Sequence, residues 1–203
     1  MNTNDFQSPF ARIYLASASP RRHELLKQMH VEHEVLHVPS PPGEDEPQLA
    51  GEAATDYVQR TALDKAIRAK AYIQQQEFFV RPILTADTSV ILNGEVLGKP
   101  QDPMHAAKIL SQLSGKTHEV HTAVVLAHRD QIIKAVSITK VSMRTISMKE
   151  IAMYISSGEH EGKAGGYGIQ GLAAIFIEKI EGSYSGVMGL PIYETWQLLS
   201  QLK

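Results

Sequence analysis

The order of apolar and polar residues predicts a mixed α/β fold, a twisted sheet flanked by helices. Three observations lead there. Arg12 to Ala18 reads as a short buried strand that runs directly into Ser19-Pro20 and a helix. Ile83 to Leu97 reads as two strands around Asn93-Gly94, a dipeptide that favours the two-residue type I′ hairpin. Thr117 to His128 and Ile132 to Thr145 read as a further antiparallel pair joined by Arg129-Asp130-Gln131.

The bulk properties fit that class. The chain has 203 residues, 43% hydrophobic and 21% charged, with a formal net charge of −2, enough for one core without staples. We therefore expect one domain over residues 12–203, preceded by a disordered arm over 1–11. There is no cysteine, which excludes disulfides, thiolate-bound zinc and a cysteine nucleophile. No apolar run approaches the roughly 18 residues of a membrane helix. The first ten residues lack the apolar segment of a signal peptide, so a cytoplasmic protein is expected. Near-neutral charge gives no general support for nucleic-acid binding.

Ser19 is a good N-cap residue and Pro20 fits the first helical position, so a helix runs through Leu25, Leu26 and Met29. Its first turn carries Arg21 and Arg22, at the helix end that is already partly positive. That placement points to an anion held there, phosphate above all. The alternative is that one of the two arginines pairs with an acidic neighbour. Val31 to Val38 alternates as a second strand, on which His33 and His37 share a surface or interfacial face. A proline-rich loop follows, carrying Glu44, Asp45 and Glu46. Three adjacent carboxylates can hold a hard divalent cation, although from spacing alone a solvated charge run is the simpler reading.

Residues 51–76 read as a long helix with a small-residue stripe, and nothing local singles out Lys65 on it. Asp102-Pro103 opens another helix by the same cap-and-proline logic. Ser147 and Glu150 form a capping box for a helix to about Ser156. The glycine cluster Gly162 to Gly171 contains Gly166-x-Gly168-x-x-Gly171, the spacing of a dinucleotide fingerprint. The context is wrong for it, because a strand, Leu172 to Ile180, is expected to follow rather than a helix. Gln170, between flexible neighbours, is suited to reading a base edge through its amide donor and acceptor. Gly182 to Gly186 reads as a turn, and Pro191 leads into a last amphipathic helix containing Trp196.

Within Ile83 to Leu92 one residue stands out. Asp87 is the one charged residue in a strand of mostly apolar and β-branched residues, and burying a carboxylate is costly unless partners or a metal compensate it. Two roles are open to it: a turn cap beside Thr88, or a carboxylate carried into a site.

Five segments in register resemble the Maf family of nucleoside triphosphate pyrophosphatases: Ala16-Ser-Ala-Ser-Pro-Arg-Arg22, Ala86-Asp-Thr88, Leu97-Gly-Lys-Pro100, Lys163-Ala-Gly-Gly-Tyr-Gly-Ile-Gln-Gly171 and Gly189-Leu-Pro191. The resemblance implies a mixed α/β protein with an elongated sheet and two lobes around a central cleft, similar to inosine triphosphate pyrophosphatases and commonly a homodimer. It implies hydrolysis of a nucleoside triphosphate to the monophosphate and pyrophosphate with a divalent metal, Mg²⁺ or Mn²⁺. Asp87 would be the catalytic carboxylate, and also a metal ligand with Glu44, Asp45 or Glu46. Ser17, Ser19, Arg22, Lys65 and Lys99 would bind phosphates, with Lys99 a partner of Asp87 across the hairpin.

Arg22, Thr88 and Gln170 would select the substrate. Ala-Asp-Thr with Tyr-Gly-Ile-Gln-Gly looks like the branch acting on dTTP and UTP, rather than the one acting on 7-methyl-GTP. Thr85 stands where the family usually has glycine, and Gly166 where it usually has alanine. A second reading compatible with the resemblance is a non-catalytic nucleotide-binding regulator of septum formation.

Overall fold

The computed structural model describes residues 9–39 and 47–202. Its elements run β1 (Ile13–Leu15), α1 (Pro20–Gln28), β2 (His33–Val35), α2 (Ala54–Gln75), β3 (Ile83–Leu92), β4 (Glu95–Leu97), α3 (Pro103–Leu113), β5 (Thr117–His128) and β6 (Gln131–Met143). Then come α4 (Met148–Ser156), two 3₁₀ turns (Ala164–Gly166 and Leu172–Phe176), β7 (Ile177–Glu181), α5 (Tyr184–Met188) and α6 (Ile192–Leu199). The strands form one mixed sheet in the order β2-β1-β3-β5-β6-β7, with β4 on β3. The predicted mixed α/β class is the one observed. Among the described residues no helix is long and apolar enough to cross a membrane.

Strand β3 organises the sheet. Along one edge it pairs with β5 from Ile83 through Ile91. On the other edge β1 covers only Ile83 and Leu84, and β4 covers only Val90 to Leu92. Residues 85–89 therefore have no strand neighbour on that edge among the described residues, and Asp87 and Thr88 are the two positions of β3 that are not buried.

Side-chain alternation then sorts the strand's contacts. Leu84 and Ala86 join a cluster with Leu25, Leu26, Leu198 and Leu199 on the α1 and α6 face. Ile83 joins Ala62, Ala66 and Ala69 on the α2 face. Thr85 is fully buried on that same face and donates to the Ala62 carbonyl at 2.8 Å. A third cluster, with Val90, Leu110, Leu113, Tyr154 and Phe176, fills the other end of the sheet. The core is thus divided between two ends of the sheet, and the bare stretch of β3 lies where they meet.

Several local readings hold. Asn93 and Gly94 both have positive φ, as a type I′ turn requires. Asp102 accepts from the His105 amide at 2.6 Å, and the Ser147–Glu150 capping box closes in both directions. Others differ. The segment read as a strand from Leu172 begins as a 3₁₀ turn, because burial there falls on Ala173 and Phe176, three residues apart, a spacing that one 3₁₀ turn places on one side. The Gly182 to Gly186 turn leads into a short helix, capped by Ser183 accepting from the Gly186 amide. Strands β1 and β2 are only three residues each, paired in parallel from Ile13 with His33 to Leu15 with Val35. Ser19 occupies the N-cap position of α1, but its side chain makes no capping bond. Residues 1–8 of the expected arm lie outside the described residues, and Phe10 packs edge-on against Trp196, with ring centroids 4.7 Å apart.

Candidate active site

The gap beside β3 is the floor of a cleft of about 600 Å³. One wall is the turn from β1 into α1, Ala16 to Arg22, and the other is the end of the β3–β4 hairpin with the glycine-rich loop. Gly165 docks that loop, since its amide donates to the Gly98 carbonyl at 3.1 Å. A Cβ on Gly165 would lie 2.8 Å from a Val90 methyl, at a φ of +68°, so only glycine fits.

Asp87 follows Ile83 and Thr85 on the α2 face, and there it meets Lys65, whose ammonium donates to Oδ1. Its side chain retains 17% exposure, so the carboxylate is held within the protein yet open to the cleft. Thr88 points the other way and joins a polar cluster. Arg22 Nε donates to the Gly189 carbonyl at 2.7 Å, Nη1 to Ser17 Oγ at 3.0 Å and Nη2 to Thr88 Oγ1 at 3.4 Å. Thr122, opposite Thr88 on β5, donates to the Gly186 carbonyl at 2.8 Å, and its oxygen lies 3.0 Å from Thr88 Oγ1. Desolvation lowers the Arg22 pKa to about 10, against a raising influence from Asp87, so the group stays cationic at neutral pH.

The expectation that one arginine of the pair would meet an acidic side chain directly is corrected. Arg21 donates to the Met188 carbonyl at 3.1 Å as Arg22 does to Gly189. The turn after α5 presents its carbonyls towards α1, and a backbone oxygen accepts from a guanidinium without adding charge to the cleft.

Ser17, Ser19, Arg22, Lys65, Asp87, Thr88, Lys99 and Gln170 all line this one cleft. Glu44, Asp45 and Glu46 lie outside the described residues. Lys65 is the cation found on the Asp87 carboxylate, the place sequence reasoning reserved for Lys99, because the strand parity that buries Thr85 on α2 sends Asp87 the same way. Three further cations also line the cleft, Arg21, Arg68 and Lys163. Arg68 was legible as the residue one helical turn after Lys65, and Lys163 as the cation opening the glycine-rich run. Burial lowers the Lys163 pKa, Arg21 pushes it the same way, and Glu159 and Glu161 oppose. Of the two histidines read as surface groups, His37 lines the cleft, while the His33 ring lies 2.6 Å from His23 Nδ1.

Among the described residues that line the cleft, six Lys and Arg side chains outnumber the carboxylates of Asp87 and Glu161. A strongly anionic ligand of a few charges suits that surplus. Among the described residues no group of three or more His, Asp or Glu could cage a metal ion. A cation that keeps several waters and leans on one carboxylate plus its ligand's phosphates, as Mg²⁺ does, is still compatible with Asp87 alone.

The chain is 61% identical over 188 residues to the dTTP/UTP pyrophosphatase of Bordetella avium, covering 93% of this chain and 94% of that one. It is 48% identical over 188 residues to the dTTP/UTP pyrophosphatase of Salmonella typhimurium, covering 93% and 91%. Superposition on the Ham1 protein of Staphylococcus aureus gives a TM-score of 0.43 at 15% identity, covering 66% of this chain and 72% of that one. The family model described as Maf-like protein matches residues 12–202, and the chain belongs to that family.

Proposed function

We propose that the protein hydrolyses dTTP and UTP to the monophosphate and pyrophosphate in this cleft. The observation that carries the reading is the placement of Asp87. It is a partly exposed carboxylate in the stretch of β3 that, among the described residues, has no strand neighbour along one edge, and it is gripped by Lys65 and ringed by cations. A nucleoside triphosphate brings about four negative charges into a cleft lined by Lys and Arg side chains. Ser17 and Ser19 donate to phosphate oxygens, while Arg22, Lys65 and Lys99 neutralise the chain. Arg22 is pre-ordered by its three acceptors and so loses little freedom when substrate arrives.

In the reaction Asp87 orients a water towards the α-phosphorus, with Lys65 fixing the carboxylate. A bond forms between that water's oxygen and the α-phosphorus, the α–β bridging bond breaks with its electron pair staying on the departing oxygen, pyrophosphate leaves, and the proton lost by the water passes to solvent. Charge developing on the departing oxygens falls among fixed cations, where it is stabilised without reorganisation. A divalent cation, Mg²⁺ or Mn²⁺, would be held by Asp87 with the acidic residues 44–46, and when bound it supplies Lewis-acid charge neutralisation at the phosphates. Thr88 and Gln170 set the choice of base, Gln170 by offering both an acceptor and a donor to the pyrimidine edge that carries O4 and N3–H.

The supporting observations for the pyrimidine substrate are the names of the relatives that match over nearly the whole chain. A panel of triphosphates assayed for pyrophosphate release with Mg²⁺ or Mn²⁺ tests it. Preference for dTTP and UTP is expected, and a preference for 7-methyl-GTP or ITP refutes the pyrimidine reading. Binding without release would point instead to a nucleotide-binding regulator of septum formation, a role for which Asp87 held by Lys65 has no use. We also propose a cytoplasmic homodimer without nucleic-acid or membrane partners, for which sedimentation equilibrium showing a monomer would be the contrary result.

A further inference from the structure

We infer that Glu159, which does not line the cleft, is a positioning residue for base selection. It acts through the turn that presents Gln170, and the inference rests on Gln170 reading the base. Glu159 follows the C-terminal end of α4 and ties down both ends of the glycine-rich loop. Its backbone carbonyl accepts from the Lys163 ammonium at the loop's start, and its carboxylate Oε2 accepts from the Leu172 amide at 2.8 Å at the loop's end. Between these ties the loop closes on itself, with the Gly171 amide donating to the Gly168 carbonyl at 3.1 Å. The Gly168 amide rests on the Tyr154 hydroxyl at 3.3 Å. Gln170 stands at the crest of that turn, exposed to the cleft.

The fit of the carboxylate against the turn is close enough to read in the sequence requirement at Gly171. A Cβ there would lie 2.1 Å from Glu159 Oε2, and its three nearest neighbours are all atoms of the Glu159 carboxylate. The backbone of Gly171 is extended, at φ −103° and ψ −154°, a conformation open to alanine. A Cβ at 171 would therefore displace the Glu159 carboxylate from its place against the turn. Where two residues share one contact, their substitutions are non-additive, and that is the signature to look for.

The experiment is steady-state kinetics on the full chain with UTP and GTP, alongside thermal melting. Glu159→Ala is expected to raise the KM for UTP about tenfold, as loss of a hydrogen bond to a charged group does, with kcat held within about twofold. The UTP-to-GTP ratio of kcat/KM should fall by the same factor. Glu159→Gln, which keeps a side-chain carbonyl for the Leu172 amide, should restore KM to within about threefold. Gly171→Ala should reproduce the loss in the wild-type background and add less than about twofold in Glu159→Ala.

An unchanged UTP-to-GTP ratio in Glu159→Ala, or an equal penalty for Gly171→Ala in both backgrounds, overturns the inference. Should Glu159→Ala not fold, Glu159→Gln and Gly171→Ala make the same comparison. A near-wild-type ratio in the first with a shifted one in the second supports the inference, and equal ratios overturn it. Gln170→Ala separates the two readings. A wild-type ratio in that variant overturns the Gln170 reading and this inference with it. A shifted ratio there beside an unchanged one in Glu159→Ala overturns this inference alone.

Discussion

The ammonium of Lys65, on α2, donates to the carboxylate of Asp87, on β3 and 22 residues further along the chain. The contact joins the helix that packs one face of the sheet to the one charged residue of its central strand. An ion pair this close to solvent contributes little to stability, so its significance is the orientation it gives Asp87.

Asp87→Asn separates binding from turnover. The amide keeps an oxygen for Lys65 and the fold is retained, but the water-orienting charge is gone. Turnover of UTP should fall by about a thousandfold. With divalent metal left out, removing the negative charge at 87 should leave UTP binding as tight or tighter, which calorimetry reads directly. Turnover near that of the wild type would sink the assignment.

Arg22 contacts Ser17, Thr88 and Gly189 with three different nitrogens. A lysine offers one point charge and no planar fork. Arg22→Lys should therefore raise the KM for UTP by about tenfold, and Arg22→Ala by more, both with soluble, folded protein. The check is the KM series at saturating metal.

The two departures from the family pattern have similar expected costs, of different physical origin. Thr85 fills its place on β3 and binds the Ala62 carbonyl, so Thr85→Val should cost about 1 kcal/mol by stranding that acceptor's partner site. Gly166 has φ +69° but open surroundings, with the nearest contact for a Cβ at 3.8 Å, so Gly166→Ala should cost only the backbone strain, about 1 kcal/mol. Gly165→Ala adds the collision with Val90 to the same strain and should cost about 3 kcal/mol. Urea midpoints rank the three, and equal losses for Gly165→Ala and Gly166→Ala would contradict the docking of the loop on Val90.

His118 is buried on β5 with Nε2 at 2.7 Å from the Tyr167 hydroxyl, and desolvation holds its pKa down to about 4. Unfolded, the imidazole titrates near 6.5, so between those values the unfolded chain binds the proton more readily. Its contribution is complete above pH 6.5 and is lost as the pH falls towards 4, by about 3 kcal/mol over the window. His118→Gln can still bond the Tyr167 hydroxyl but does not titrate. The stability difference between pH 7 and pH 4.5 should therefore be smaller in His118→Gln. His33, also depressed by burial, is common to both proteins and cancels in the comparison.

Local chemistry made much of this legible in advance. Asn93-Gly94, Asp102-Pro103 and the Ser147–Glu150 box are satisfied by bonds within a few residues, so their signals survive folding intact. Asp87 was conspicuous because a carboxylate in an apolar strand has few unforced explanations, and Arg22 because a cation at a helix N-terminus has none locally. The amino-acid order by itself therefore determined the mixed α/β class, the turns and caps, and the side chains worth watching.

Partners were decided only by the tertiary structure. Lys65 looked like any solvated helix lysine until alternation along β3 turned Asp87 towards α2. The gap that exposes Asp87 exists because β1 and β4 each cover only part of one edge of β3. The Leu172 segment leaves the strand pattern because burial calls for Ala173 and Phe176 on one side of a tight turn. Each of these depends on contacts between residues far apart in sequence, and such contacts leave no periodic trace in the residues that make them.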